Sequence, residues 1–260
     1  MPLQQVMEMI NLLDSAKVTG QQIGDAFLAR GWDRWQVETI TGPQGKTDFM
    51  TVTLPGSQGL QGGGSALTLG IVGRLGGIGA RPEISGMVSD ADGAIVAMAV
   101  ALRLIEMRDQ GDPLKGDVII TTHISPVAPS AREEHRGPVR MMGSPVERDE
   151  LLKREVHPEM VAILSIDATK GNRLLNQRGF AITPTVKEGY LLPPTDNMLD
   201  IMQNVTGRMP QVIPLATQDF AGSGELRHIN SIMMPSTMTK SPVVGVATTA
   251  AVAVPGVATG

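Results

Sequence analysis

Acidic and imidazole side chains follow apolar segments at separate points of the sequence. Asp90 and Asp92 lie between two apolar segments, and His123 and Asp167 each follow one directly. In a chain without cysteine, Asp, Glu and His are the side chains that hold zinc or manganese, and this chain has no cysteine. These four residues therefore predict a site for a divalent metal, with zinc or manganese as the candidates.

Further polar residues could complete such a site. Glu133 or Glu134 could take a proton from water, and Lys170 or Arg74 could orient a substrate carboxylate. Asn172 is a further substrate-binding candidate, and His228 is a further metal-ligand candidate.

A glycine-rich stretch, IVGRLGGIGARPEISGMVSDADGAIVA (71–97), precedes the two aspartates. Its backbone amides at Gly76 and Gly77, with the side chains of Arg74 and Arg81, could bind an anionic group. These four residues are therefore predicted to bind substrate.

The same glycines resemble the turn of dinucleotide-binding enzymes, but their context excludes that interpretation. Some seventy residues precede them, and Pro82 prevents a helix from starting directly after them. Tyr190, the one tyrosine, is followed four residues later by Pro194, so a Tyr-x-x-x-Lys pair is absent. We expect no nucleotide cofactor.

Each candidate also has an ordinary structural interpretation. An aspartate before a helix can cap it, which contributes about 1 kcal/mol, although Asp90 and Asp92 would not both be needed. A histidine after a strand is commonly hydrogen-bonded scaffolding, and the charged run REEHR (132–136) is typical of a solvated surface.

Composition excludes other classes of function. The net charge of −4, the lack of a cationic block and an aromatic content of 3% argue against binding nucleic acid. Prolines and glycines interrupt the apolar last twenty residues, so no membrane span is expected. No signal sequence is recognisable, which predicts a cytoplasmic protein. The 16 methionines suggest a homo-oligomer.

The elements that must position the candidates alternate between helix and strand. An amphipathic helix is predicted at the N-terminus, with the apolar stripe Leu3, Val6, Met7, Ile10 and Leu13. The other predicted helices are 19–31, capped by Thr19, then 93–108, and one from Thr195 or Asp196 to Val205. The predicted strands are 37–40 and 48–54, which form a hairpin, followed by 67–72, 117–122, 160–166 and a late strand in 242–248.

This alternation predicts an α/β fold with a largely parallel central sheet flanked by helices. Residues 1–260 are expected to form one domain, in which 1–56 make up an N-terminal helical and hairpin portion. In such sheets ligands bind at the carboxyl ends of the strands. Asp90, Asp92, His123 and Asp167 are therefore expected to meet at one edge.

Almost the whole chain resembles a bacterial and archaeal family of unknown function, numbered 1177. The resemblance lies in KTDF (46–49), TLGIVGRLGGIGARPEISGMVSDADGA (68–94), GDVIITTHISPVAP (116–129), GSPVERDEL (143–151), HPEMVAILSIDATKGNR (157–173), RGFAITPTVKEGY (178–190) and PVVGVAT (242–248). This resemblance implies no particular chemistry.

The order of strand, glycine-rich loop, Asp, long apolar helix and later strand ending in Asp also resembles the core of the zinc aminopeptidases. The resemblance implies that Asp90 is the bridging carboxylate and Asp167 a later ligand. Arg74 to Gly76 stand where that family has His-x-Asp, and His123 to Ser125 stand near its Glu-Glu pair. Its final histidine corresponds only loosely to His228.

The resulting hypothesis is a metal-dependent hydrolase of a peptide, an amide or a small amino-acid derivative. A second hypothesis is a non-catalytic binding or assembly protein that keeps a peptidase-like fold without its metals. Racemisation, or another non-hydrolytic reaction that uses paired acid and base groups, is a third.

Overall fold

The computed structural model describes residues 2–15, 17–42, 45–74, 91–125, 148–169, 177–220 and 229–250. Within these residues, eight strands form one sheet in the order β1-β2-β4-β3-β5-β8-β6-β7. The strands are β1 (Trp35–Gly42), β2 (Gly45–Leu54), β3 (Leu69–Gly73), β4 (Val118–Ile124), β5 (Ala162–Thr169), β6 (Gly179–Lys187), β7 (Tyr190–Leu192) and β8 (Val243–Thr249).

The sheet is mixed, so the prediction of a largely parallel sheet is wrong. Parallel pairing joins β4, β3, β5 and β8, which form the centre. The outer strands pair antiparallel, because β1 and β2 form the predicted hairpin and β6 and β7 form a second hairpin. These hairpins join the centre through the antiparallel pairs β2–β4 and β6–β8.

Helices cover both faces of the sheet. The helices are α1 (Leu3–Leu13), α2 (Gly20–Leu28), α3 (Asp92–Asp109), α4 (Arg148–Glu155), α5 (Asp196–Thr206), α6 (Thr217–Phe220) and α7 (Ile229–Met233). Short 3-10 turns lie at Leu60–Gly62 and Met234–Thr237. Among the described residues, no helix combines the length and the apolar character needed to cross a membrane.

The core is divided by the sheet because successive strand residues point to opposite faces. On one face, Ile71 and Ile120 pack with the apolar side chains of α1, α2 and α3. On the other face, Val72 and Ile119 pack with α6 and α7. The face to which a residue points therefore decides which helices it can reach.

Local sequence explains where two of the predicted helices begin. The Thr19 hydroxyl accepts a hydrogen bond from the amide of Gln22, and the Gln22 side chain accepts one from the Thr19 amide, which together form a capping box. The Thr195 hydroxyl caps α5 by accepting from the amide of Met198. Both predicted caps are confirmed.

The amino end of β4 is held by a buried carboxylate. Asp117 is 1% exposed, and its two oxygens accept hydrogen bonds from the amides of Gly56 and Gln61 at 2.8 and 2.9 Å. These bonds tie the segment after β2 to the start of β4. The Asp117 carboxylate therefore has a structural role at the edge opposite the carboxyl ends of the parallel strands.

Candidate active site

Three polar residues form a row across three neighbouring parallel strands. Gly73, at the end of β3, pairs with Thr122 of β4 and with Ile166 of β5. One residue further along each strand are Arg74, His123 and Asp167. The Arg74 amide continues the register, since it donates to the Ile166 carbonyl at 2.8 Å. The structure thus brings three of the predicted site residues to one sheet edge.

The side chains of this row lie on the face of the sheet that α4 covers. Thr121, two residues before His123 in β4, donates from its hydroxyl to the Glu155 carbonyl at 2.6 Å. Residues two apart in a strand share a face, so His123 lies on the same side as Glu155. Val72, two residues before Arg74, packs in the core on this face.

Glu155, the last residue of α4, links two members of the row. Its carboxylate is fully buried; Oε1 lies 2.7 Å from Nδ1 of His123, and Oε2 pairs with Nη1 of Arg74. A carboxylate accepts, so the contact assigns a proton to Nδ1; the tautomer with that proton on Nδ1 has Nε2 as its acceptor nitrogen. This is the arrangement by which carboxylates orient metal-binding or proton-accepting histidines.

Arg74 is buried, at 7% exposure. Its Nη2 lies 3.6 Å from the Met234 sulfur, and its Nε has no hydrogen-bond partner within the described part of the chain. The Glu155 carboxylate balances its charge. The sequence predicts that Arg74 binds a substrate carboxylate. In the structure, one nitrogen of its guanidinium, Nη1, pairs with Glu155.

His123 and Asp167 are also buried, at 2% and 3% exposure. The His123 ring lies 6.1 Å from the Phe49 ring, centroid to centroid. The Asp167 Oδ1 accepts a hydrogen bond from the Ala168 amide at 2.7 Å. Two residues before it in β5, the buried Ser165 hydroxyl has no hydrogen-bond partner within the described residues. The edge therefore concentrates polar groups that are largely withdrawn from solvent.

The start of α3 approaches this edge very closely. A Cβ added to Gly93 would lie 2.2 Å from the Arg74 carbonyl oxygen and 2.3 Å from that of Ile166. Asp92, in the first turn, is half-buried, and the helix is preceded by Ala91 without a side-chain cap. The positive end of the helix dipole stabilises a carboxylate at this position. This is the structural interpretation of Asp92 as a helix-start residue.

Ion pairs on its outer side hold α4 in place. Arg154 reaches Glu38 of β1 at 3.1 Å and Glu150 at 2.6 Å. Hydrogen bonds to Glu38 and Glu150 raise the pKa of Arg154. Hydrogen bonds from Arg154 and Lys153 lower the pKa of Glu150. These contacts fix the helix whose last residue is Glu155.

Most of the predicted ligands and bases lie outside the described residues. They are Gly76, Gly77, Arg81, Asp90, Glu133, Glu134, Lys170, Asn172 and His228. Within the described part of the chain, no three His, Asp or Glu side chains lie close enough to hold a metal ion. The assignment of these residues as metal ligands, bases or substrate contacts stays a prediction.

Glu155 is a site residue that the sequence patterns do not indicate. It ends RDELLKRE, a segment so rich in charge that it is typical of a solvated helix, and nothing local marks this glutamate as the buried one. Its burial follows from non-local contacts, since Leu151 and Leu152 dock on Phe49 of β2. Sequence spacing alone could not have identified it.

A family model described as a protein of unknown function (DUF1177) matches residues 38–260 of this chain. No curated protein sequence matches it.

Solved structures resemble the chain in fold. The cytosol aminopeptidase of Coxiella burnetii has a TM-score of 0.53 at 12% identity, with 95% of this chain and 62% of that one covered. The leucine aminopeptidase of Caenorhabditis elegans has a TM-score of 0.51 at 13% identity, covering 97% and 60%. The bottromycin maturation enzyme BotP, in complex with Mn, has a TM-score of 0.51 at 14% identity, covering 93% and 63%. This chain thus spans about three fifths of their length, and it has an aminopeptidase-like fold.

Proposed function

Since the chain belongs to the DUF1177 family of proteins of unknown function, and since its fold is aminopeptidase-like, we propose that it hydrolyses a peptide, an amide or a small amino-acid derivative. The reaction takes place at the carboxyl edge of the parallel strands. One observation carries the proposal: Arg74, His123 and Asp167 occupy one row at the edge where α/β sheets bind ligands.

The proposal includes a divalent cation. The described residues at this edge supply only some of the ligands that such a cation needs. His123 Nε2 and the Asp167 carboxylate have the right chemistry for zinc or manganese. Catalytic zinc sites use three protein ligands, and the described residues bring no such group together. The proposal therefore needs Asp90 or Asp92, and His228, as further ligands. The Mn complex of BotP supports manganese as one candidate.

Each protein group then has a distinct part in the reaction. Glu155 holds the His123 ring so that Nε2 faces away from α4, and it balances the charge of Arg74. Glu133 or Glu134 takes the proton from the attacking water, and Lys170 binds the carboxylate of the substrate. When bound, a divalent cation supplies Lewis-acid polarisation of the scissile carbonyl.

Metal content and hydrolysis test this proposal together. The full chain, purified without chelator, is analysed for metals and assayed on aminoacyl p-nitroanilides and N-acetyl amino-acid amides. We expect stoichiometric metal and hydrolysis in the wild type, with both lost in His123→Ala and Asp167→Ala. His157→Ala, which changes a histidine before β5, is the matched control and should keep both. A wild type without metal or turnover would contradict the proposal.

A non-catalytic binding or assembly protein is the second candidate, and a specific observation favours it. Arg74 puts a fixed positive charge into the row between His123 and Asp167, and Glu155 already compensates it. A protein that has lost its metals could keep its fold through such a resident cation. In that case the wild type contains no stoichiometric metal and hydrolyses none of the substrates, while all three variants behave like the wild type.

A further inference from the structure

An open cleft lies between the end of α5 and the start of β6. Its volume is about 380 Å³, within the range typical of small-molecule sites. Arg178, Phe180, Met202, Arg208 and Met209 are among the residues that line it. Gly179 pairs with Thr249 at the end of β8, so the cleft lies near the same sheet edge as Asp167, two strands further along.

Two backbone turns bring the arginines to this cleft. Helix α5 ends at Thr206, and the next residue, Gly207, has a left-handed φ of 65°. The Arg208 amide then donates to the Thr206 hydroxyl at 3.2 Å. On the opposite wall, Gly179 has a φ of 136°, which favours glycine directly after Arg178. Arg178, before β6, and Arg208, after α5, therefore line the same cleft from two different elements.

Both arginines of the cleft are exposed. Within the described residues, neither guanidinium forms an ion pair, and no lining residue of the cleft is acidic. Four other described arginines are ion-paired: Arg30 with Glu8, Arg74 with Glu155, Arg103 with Glu106 and Arg154 with Glu150. Outside the cleft, Arg34 and Arg108 form no ion pair among the described residues, and Arg108 instead donates to the Pro55 carbonyl. A protein of net charge −4 thus places two arginines at one concave surface, and neither has an acidic partner in the part of the chain that the structure describes.

The floor of the cleft is apolar. Met202 is buried at 5% exposure, and Phe180 is half-buried beside it in the same core cluster. Met209, which also lines the cleft, is 73% exposed, so most of a large apolar side chain is accessible to solvent. A ligand with an apolar group would cover Met209 and gain the corresponding hydrophobic free energy.

We propose that this cleft binds a small organic anion, with a carboxylate held by Arg178 and Arg208 and an apolar group held against Phe180, Met202 and Met209. Guanidinium groups pair with carboxylates through charge-assisted hydrogen bonds, which are stronger than neutral ones. The binding site is distinct from the row of Arg74, His123 and Asp167. It requires neither a metal nor turnover, so it stands or fails independently of the proposed hydrolysis.

Calorimetric titration of the full chain tests the proposal with N-acetyl-L-leucine and N-acetyl-L-phenylalanine as probes. Their C-terminal amides keep the apolar group without the charge, and inorganic phosphate keeps a charge without the apolar group. We expect the acids to bind at least tenfold more tightly than the amides and than phosphate. Arg178→Gln and Arg208→Gln should each weaken binding of the acids about tenfold, as loss of a charged hydrogen bond does.

Arg34→Gln is the matched control, because Arg34 is an exposed arginine outside the cleft. The Arg34→Gln variant should bind the acids as the wild type does. Met209→Gln should lower the affinity for the acids without changing the affinity for phosphate. The proposal is overturned if neither acid binds saturably, if acids and amides bind equally, if phosphate binds more tightly, or if Arg34→Gln loses as much affinity as the cleft variants.

Discussion

The Glu155 carboxylate lies 2.7 Å from Nδ1 of His123, within a fully buried contact between α4 and β4. The same carboxylate pairs with Arg74. One glutamate thus orients the imidazole of the candidate site and compensates its buried cation. The position of α4 and the chemistry of the sheet edge are therefore coupled through this side chain.

Breaking this buried pair should destabilise the fold strongly. Glu155→Gln leaves the Arg74 charge uncompensated, and Arg74→Met leaves that of Glu155 uncompensated, so each should lower the free energy of unfolding by about 3–5 kcal/mol. The double variant should lose less than the sum of the two, because no unpaired charge remains. Urea denaturation of all four proteins measures this coupling. Glu159→Gln, at an exposed site, is the control, and strictly additive losses would contradict the prediction.

Local signals in the sequence predicted the elements well. Thr19 and Thr195 mark helix starts through hydrogen bonds within a few residues, and both caps are found. Helix α1 was also predicted, but Leu3 and Met7 of its expected apolar stripe are 63% and 48% exposed. Its buried residues are Gln5, Met9 and Leu13, and Gln5 donates to Glu106 of α3.

Non-local contacts explain what the sequence could not predict. The packing of α1 against α3 decides which side of α1 is buried, and strand partners decide that the outer pairs of the sheet are antiparallel. The alignment of His123 and Asp167 at one edge was predicted because it needs only parallel neighbours. Glu155 reaches His123 and Arg74 from a helix whose sequence gives no sign of burial.

The close approach of α3 to the sheet should depend on Gly93. In Gly93→Ala, the new methyl group would meet the carbonyl oxygens of Arg74 and Ile166 at 2.2 and 2.3 Å. These are backbone atoms that cannot rotate away, so we expect a loss of about 3 kcal/mol, the upper end of typical overpacking costs. Thermal unfolding, with the melting temperature converted to free energy, measures it.

The control for this prediction is Gly62→Ala, where an added Cβ has no neighbour within 4 Å among the described residues. It should leave the melting temperature nearly unchanged. Alanine favours helix over glycine by about 1 kcal/mol, so a Gly93→Ala protein as stable as the wild type would mean that α3 can move away from Arg74. Such a shift would also remove the reason for a glycine at this position.

The ion pairs on α4 should give stability a specific dependence on pH. Hydrogen bonds from Arg154 and Lys153 lower the pKa of Glu150 below its ordinary value of 4.5. A carboxylate with a lowered folded pKa stabilises the protein above the unfolded value and loses that effect as the pH falls through the folded pKa. The difference in melting temperature between wild type and Glu150→Gln should therefore be present at neutral pH and vanish in acid below the lowered pKa.

NMR titration of the Glu150 carboxyl carbon tests the cause directly. Arg154→Gln removes the hydrogen bond that lowers the pKa of Glu150 most and should move that pKa back toward 4.5, whereas Arg103→Gln, on α3, should leave it unchanged. Because the Glu150 side chain is 44% exposed, added salt should also raise the pKa of Glu150 in the wild type. An unchanged Glu150 titration in Arg154→Gln would mean that this arginine holds α4 through Glu38 and its contact with the Phe49 ring instead.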